Sequence, residues 1–248
     1  MPVSNALPAS LVKSFTSTGT LRASINLGNA ILANRHPQTA ASVGVSIDLA
    51  HEFARRLGVA VELIVFDGAA KSVEAVRQEQ ADIGFFAIDP LRGAGIHFTA
   101  PYVLIEGSYL VRQDSTLQHN VQVDTAGMRV AVGQGSAYDL FLTRELKAAL
   151  IVRGDGAAGA SAAFDRQNLE VLAGIRQMLE AQTTQHPDLR LLPGHFMVIQ
   201  QAMGCPASCG AEAAGFLRQF VEDMKTSGFV ADALQRHKIA GATVAPPV

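Results

Sequence analysis

Residues 45–65, VSIDLAHEFARRLGVAVELIV, decide the fold class. The first part is predicted to be a helix with one apolar face, because apolar residues recur every four positions, at Val45, Leu49, Phe53 and Leu57. Gly58 follows at the position where a left-handed helix cap is usual. The run 59–65 is rich in β-branched residues and has the length of a strand. The stretch is therefore a helix that leads into a strand.

The segments on either side continue this alternation. A short strand is predicted at 21–25, a helix at about 69–78 and a buried strand at 81–86. Strand–helix–strand alternation predicts parallel strands with helices on the faces of the sheet. The fold class predicted from these residues is α/β.

The same pattern starts again after a gap and predicts a second, smaller unit. Its strands are predicted at 128–132, 149–152 and 189–192, and its helices at about 137–146 and 171–182. The stretch 154–163 is rich in glycine and alanine and is predicted to be a loop. Two extended crossings, 102–112 and 195–201, connect the units. The last helices, around Phe216 and Phe229, are predicted to return to the first unit.

Composition limits the partners of this chain. It has 248 residues, 48% of them hydrophobic, which is enough for one large core or two smaller ones. The net charge is −2, and the sequence has no block of like charges, so its charge pattern does not indicate binding to nucleic acid or to an anionic membrane. No apolar run is long enough to span a bilayer. A small molecule or another protein is the expected partner.

The N-terminus has neither a basic start nor an apolar stretch of signal-peptide length. The expectation is a cytoplasmic protein as the sequence stands, or a periplasmic one if a cleaved signal precedes it. Cys205 and Cys209 are the only cysteines. They are interpreted as inert thiols, with a local disulfide as the alternative. A zinc site needs more ligands than these two, and neither a metal nor a cofactor is predicted.

Four stretches, taken in order along the chain, resemble the family 3 bacterial solute-binding proteins, the polar amino-acid receptors of ABC transporters. They are 44–58, 81–92, 97–102 and 129–136, and the C-terminal helix pair fits the family's ending. The resemblance implies a periplasmic-binding-protein type II fold, in which two α/β lobes joined by two hinge strands close over a ligand cleft. The expected first lobe comprises 1–105 and 200–248, and the second comprises 106–199.

Two residues are expected to bind a carboxylate from opposite lobes. Arg92 occupies the place of the family's carboxylate-binding arginine, and a guanidinium matches a carboxylate with two parallel hydrogen bonds. The alternative is a surface arginine after a turn. Ser136 opens a helix whose N-terminal N–H groups favour an anion, although it could serve only as the cap of that helix. Both residues would contact one ligand only when the cleft closes.

The sequence departs from the resemblance at several ligand positions. Asn26 and Asn29 stand where the family has an acid and an aromatic residue over the ligand. Ile175 and Arg176 fall near the place of the second-lobe acid that neutralises the ligand's ammonium group. A buried ammonium without a carboxylate is costly. A standard α-amino acid is therefore a weaker expectation than the family name suggests.

Four further residues are candidates for the site. Glu106, on the first crossing, either faces solvent or turns into the cleft. His195, on the second crossing, either reaches the cleft or is a polar hinge residue. Phe86 and Tyr138 either form walls of the pocket or belong to the core.

The predicted function is binding of a small carboxylate-bearing solute, an amino acid or related organic acid, with an ABC transporter permease as a possible partner. One alternative is a cyclohexadienyl-dehydratase-like enzyme on the same fold, for which Glu106 and His195 are the only acid–base candidates. Another is a cytoplasmic ligand-sensing protein. No catalytic residue is assigned.

Overall fold

Strands from both parts of the chain form one mixed sheet in the computed structural model, which describes residues 7–248. Its first strands are β1 (Leu21–Asn26), β4 (Val61–Phe66), β5 (Ile83–Ala87) and β6 (Ile96–Arg112), while β2 (Asn34–Arg35) and β3 (Ser42–Val43) form a separate hairpin. Its later strands are β7 (Arg129–Gly133), β8 (Leu150–Gly154), β9 (Val171–Ile175), β10 (Leu189–Leu191), β11 (Met197–Pro206) and β12 (Thr243–Val244).

Eight α-helices cover this sheet among the described residues. They are α1 (Ala9–Phe15), α2 (Val45–Leu57), α3 (Ala69–Arg77), α4 (Ala137–Glu145), α5 (Gly156–Arg166), α6 (Arg176–Gln185), α7 (Gly210–Thr226) and α8 (Phe229–Arg236). Parallel pairing joins β1 to β4 and β5, and β7 to β8 and β9. The predicted α/β class is confirmed.

Two long strands carry the chain between the lobes. The first lobe contains β4, β1 and β5, and the second contains β9, β7 and β8. Strands β6 and β11 lie between them and pair antiparallel with each other, with Glu106 opposite Val198. The two predicted crossings are thus confirmed, and each is longer than expected.

The start of α2 follows the periodicity of the sequence. All four residues of its predicted apolar face are buried, and Gly58 caps the helix in the left-handed conformation, with φ of 71°. Phe53 packs edge-on against Phe15, with ring centroids 5.0 Å apart, and lies 4.9 Å from the ring of Phe220 in α7. Aromatic pairs of this kind stabilise a fold by about 0.5–1.5 kcal/mol each. The predicted return of the C-terminal helices to the first lobe is confirmed.

Two elements of the second lobe differ from their predictions. The stretch 154–163 is not a loop, because most of it belongs to α5. Alanine is the strongest helix former, and here it outweighs the few glycines. The predicted helix at 171–182 begins too early, because residues 171–175 form β9. All five of these residues are buried between β6 and β7, and sheet pairing prevails over local helical periodicity.

Candidate functional site

A cavity that is partly open to solvent lies between the two lobes. Its first-lobe wall, with the strand β11, includes Asn26, Asn29, Asp67, Phe85, Phe86, Ala87, Arg92 and Gln201. Its second-lobe wall includes Gln134, Ser136, Ala137, Tyr138, Gly156, Ala157, Ile175 and Met178. Six of the eight predicted ligand-binding residues therefore line one cavity.

Arg92 is the cation of this cavity, and its side chain is only 5% exposed. Its Nη1 donates to the carbonyl oxygen of Ala87 at 3.3 Å, and its Nη2 donates to that of Gly135 at 2.8 Å. No aspartate or glutamate in residues 7–248 forms a salt bridge with it. Burial lowers the pKa of Arg92 to about 10, against a weaker opposing effect of Asp89. The guanidinium is still charged at neutral pH and forms no salt bridge within the described residues.

The second lobe meets Arg92 at the turn before α4. Gly135 has φ of 69°, its N–H donates to Asp139 Oδ2 at 2.8 Å, and its carbonyl oxygen accepts from Arg92. Ser136 Oγ accepts from the N–H of Asp139 at 3.1 Å, so Ser136 is the N-cap of α4. The same residue lines the cavity. The capping role is confirmed, and ligand contact by Ser136 stays a prediction.

Three helices begin at the cavity wall. Residues at or next to the N-termini of α3, α4 and α5 line it, namely Gly68, Ala69, Ser136, Ala137, Gly156 and Ala157. The N-terminus of a helix carries partial positive charge and free N–H donors. The N-terminus of α5 was not foreseen, because its sequence predicts a loop. The N–H groups at these helix ends and the guanidinium of Arg92 are hydrogen-bond donors around the same cavity.

Neutral polar side chains form much of the first-lobe wall. Asn26 Oδ1 accepts from the N–H of Gly28 at 2.9 Å. Asn29 Oδ1 is buried and has no hydrogen-bond partner within the described chain. Gln201, only 6% exposed, projects from β11 beside these residues, and sequence reasoning missed it and Gln134. Gln200 and Gln201 are two polar residues in the otherwise apolar run of β11, and because side chains alternate along a strand one of them must face the interior, which is the signal that could have indicated Gln201.

The two aromatic candidates border the cavity while belonging largely to the core. Tyr138 is 6% exposed, and burial raises its pKa, so its hydroxyl stays protonated. Phe86 packs edge-on against Phe98, with ring centroids 6.2 Å apart, in the core of the first lobe. Each of these side chains therefore lies partly in the cavity wall and partly in the core, so both predicted alternatives apply.

Glu106 and His195 do not line the cavity. Glu106 Oε2 lies 3.1 Å from Arg176 Nη1, and Glu106 Oε1 lies 3.2 Å from His195 Nδ1. We call these three residues the hinge cluster. Its neighbour Ile105 is 1% exposed, so side-chain alternation along β6 turns Glu106 to the opposite, partly exposed face. Of the two predicted alternatives for each residue, this geometry favours a partly exposed position at the hinge over one in the cleft.

Glu106→Gln is expected to leave the dissociation constants of carboxylate and of amine ligands within about twofold of the wild type, because a half-exposed ion pair outside the cavity contributes little. Isothermal titration calorimetry measures this directly. A selective loss of affinity for cationic ligands would instead place Glu106 at the ligand.

The two cysteines contact each other and not the cavity. Their sulfur atoms lie 2.8 Å apart, with Cys205 at the end of β11 and Cys209 just before α7. No group of three histidine, cysteine, aspartate or glutamate side chains within residues 7–248 is arranged to hold a metal ion. Likewise, none of the helices in that range is long and apolar enough to cross a membrane.

Two α/β lobes joined by long strands, with a cation-lined cavity between them, define a two-lobed solute-binding protein. Residues 34–237 match the family described as bacterial extracellular solute-binding proteins, family 3, and the chain belongs to this family. No curated protein matches the sequence significantly.

Solved structures confirm the periplasmic-binding-protein type II fold. The solute receptor for L-cysteine of Neisseria gonorrhoeae is 18% identical, with a TM-score of 0.78 over 93% of this chain and 95% of that one. A putative ABC transporter binding component from Wolinella succinogenes, complexed with lysine, is 18% identical, with a TM-score of 0.74 over 88% and 95%. An ancestral amino acid-binding protein, described as a precursor of cyclohexadienyl dehydratase, is 18% identical, with a TM-score of 0.74 over 91% and 98%.

Proposed function

We propose that this protein binds a small carboxylate-bearing solute between its lobes and acts as the binding component of an ABC transporter, without chemistry on the solute. The observation that carries the proposal is Arg92, a buried guanidinium in the cavity with no carboxylate partner among the described residues. Such a group is stabilised by an anion with which it can form charge-assisted hydrogen bonds.

Closure of the cleft would couple the two lobes through the ligand. Arg92 already reaches across to Gly135, and Arg144 Nη2 of α4 lies 2.9 Å from Asp89 Oδ2 of the first lobe. A carboxylate at Arg92 that also reaches the N-terminus of α4 makes both sets of contacts only in the closed form. Binding therefore shifts the open–closed equilibrium toward closure.

The proposal includes a division of the chain at the hinge. The first lobe would comprise 1–105 and 200–248, and the second 106–199. The pairing of β6 supports this division, because its early residues pair with β11 and its late residues pair with β9 and β10. Relatives described as ABC transporter components support the transport role.

The arrangement of acid–base groups favours binding over catalysis. General acid–base catalysis requires a side chain within hydrogen-bond reach of the reacting group. The two candidates for an enzyme on this fold, Glu106 and His195, belong to the hinge cluster outside the cavity lining. The one carboxylate that lines the cavity is Asp67, which is 78% exposed and paired with Lys71.

A thermal-shift screen of small carboxylic acids, amino acids and amines tests the proposal. A ligand at about 100 times its dissociation constant stabilises a protein by about 2.7 kcal/mol. For a chain of this size the melting temperature is expected to rise by about 5–10 °C, and mass spectrometry should recover the ligand unchanged. Conversion of the ligand, or stabilisation by amines alone, would contradict the proposal.

A further inference from the structure

We infer that the solute is a carboxylic acid without an amino group, such as a simple, oxo or hydroxy acid, and not an α-amino acid. This inference rests on the proposed carboxylate-binding function and specifies the class of solute for the same cavity.

Few of the side chains that line the cavity are charged. Arg92 and Asp67 are the only charged residues among those lining it. Asp67 lies at the rim, 78% exposed, with Lys71 Nζ 2.8 Å from its Oδ1. A solvated carboxylate that already has a lysine partner offers little attraction to a second cation. Among the described residues that line it, the buried part of the cavity therefore has a cation and no anion.

The opposite wall of the cavity is apolar at the place where an ammonium group would need a carboxylate. Ile175 is 7% exposed and ends β9 at the cavity, and Tyr138, Ala157 and Met178 line the wall around it. An ammonium ion buried against such a wall loses its hydration without gaining a counterion, which costs several kcal/mol.

The helix N-termini at the cavity have acidic side chains near them. The first turns of α3 and α5 contain no acidic residue, but Asp67 directly precedes the N-cap of α3 and Asp155 is itself the N-cap of α5. The acid in the first turn of α4, Asp139, is bonded to the N–H of Gly135 and to Arg153 Nε at 3.0 Å. With an acidic side chain at each of them, these helix ends supply N–H donors for a carboxylate, and Arg92 remains the charge that disfavours an ammonium group on the ligand.

The neutral polar wall suits an oxo or hydroxyl group. Asn29 Oδ1 is a buried acceptor with no hydrogen-bond partner in the described chain, and a ligand hydroxyl would supply its missing donor. The amides of Asn26 and Gln201 also line this side. Amides can bond a neutral oxygen on the ligand, but they carry no charge that would offset an ammonium.

Matched ligands that differ only in the group beside the carboxylate test the inference. Calorimetry at neutral pH would compare alanine with pyruvate and lactate, phenylalanine with phenylpyruvate and phenyllactate, and glutamate with α-ketoglutarate. In every set that binds, the acid without the amino group is expected to bind at least about tenfold more tightly. Equal or tighter binding of the amino acids would overturn the inference and leave carboxylate binding intact. If no acid of either kind binds, the proposed function fails and the inference fails with it.

A carboxylate placed on the apolar wall should reverse the preference. Ile175→Asp is expected to raise the affinity for an amino acid relative to its oxo acid by about tenfold or more. Its control is Ile175→Asn, because asparagine has nearly the size of aspartate without the charge and should not change this preference. Met178→Glu with its control Met178→Gln provides a second, less buried position in case Ile175→Asp does not fold. Circular dichroism establishes folding first. Unchanged selectivity in a folded acidic variant would count against the inference.

Discussion

Arg92→Ala is expected to weaken the binding of carboxylate solutes by a factor between about thirty and several thousand. Removing one partner of a buried, hydrogen-bonded charge pair typically costs about 2–5 kcal/mol, and each 1.4 kcal/mol is about tenfold in affinity. The ligand carboxylate would be left in a cavity whose remaining charged residue is the exposed Asp67. The substitution also removes the contact between Arg92 and Gly135 across the cleft. Calorimetric titration of both proteins gives the ratio.

The unliganded variant should fold as well as the wild type. Burial disfavours the charged form of Arg92, as the lowered pKa shows, and the side chain forms no salt bridge among the described residues that would be lost. Arg77→Ala is the matched control, because Arg77 pairs with Glu74 in the same lobe and does not line the cavity. Equal affinity of Arg92→Ala and Arg77→Ala for the solute would remove Arg92 from the site.

Gly154→Ala is expected to destabilise the protein by about 1–3 kcal/mol or more. A Cβ atom at Gly154 would lie 2.2 Å from the backbone nitrogen of Ala160 and equally close to the carbonyl carbon of Gly159, both in α5. Backbone atoms cannot rotate away as a flexible side chain can, so α5 would have to move off β8. Because the first residues of α5 line the cavity, ligand affinity should fall as well.

Chemical denaturation measures this loss as a lower midpoint with an unchanged slope. The control is Gly215→Ala in α7, where the nearest atom to an added Cβ is 3.9 Å away. Alanine is a better helix former than glycine, so the control should be as stable as the wild type or slightly more stable. A Gly154→Ala protein as stable as its control would show that α5 does not pack this closely on β8.

Local patterns in the sequence were sufficient for β1, α2, β4, α3 and β5 of the first lobe, whereas α1 and the hairpin of β2 and β3 were not predicted. The apolar face of α2 and its Gly58 cap are local features, and burial in the structure follows them closely. The second lobe was harder because β9 is defined by its pairing with β6 and β7, which no local periodicity reveals. The helix α5 was mistaken for a loop because glycine and alanine were weighed together, although Gly154 and Gly159 serve its close approach to β8.

The candidate site divides in the same way. Arg92 and Ser136 were identified because short motifs place them, and both line the cavity. Gln201 was missed, since it reaches the cavity through antiparallel pairing with Ala87, more than a hundred residues earlier in the chain. For Glu106 and His195, their position on the crossings left open whether they reach the cleft or lie outside it. Which face of a hinge strand points inward depends on register, and register is set by the whole sheet.

Recognition of a carboxylate by Arg92 is tested by calorimetry with two ligands, an acid found by the screen and its primary amide, each titrated into the protein. The amide has nearly the same shape and lacks the charge. The wild-type protein is expected to bind the acid at least about thirtyfold more tightly than the amide. The substitution Arg92→Ala should remove most of this difference in affinity. Equal affinities for acid and amide in the wild-type protein would contradict recognition of a carboxylate by Arg92.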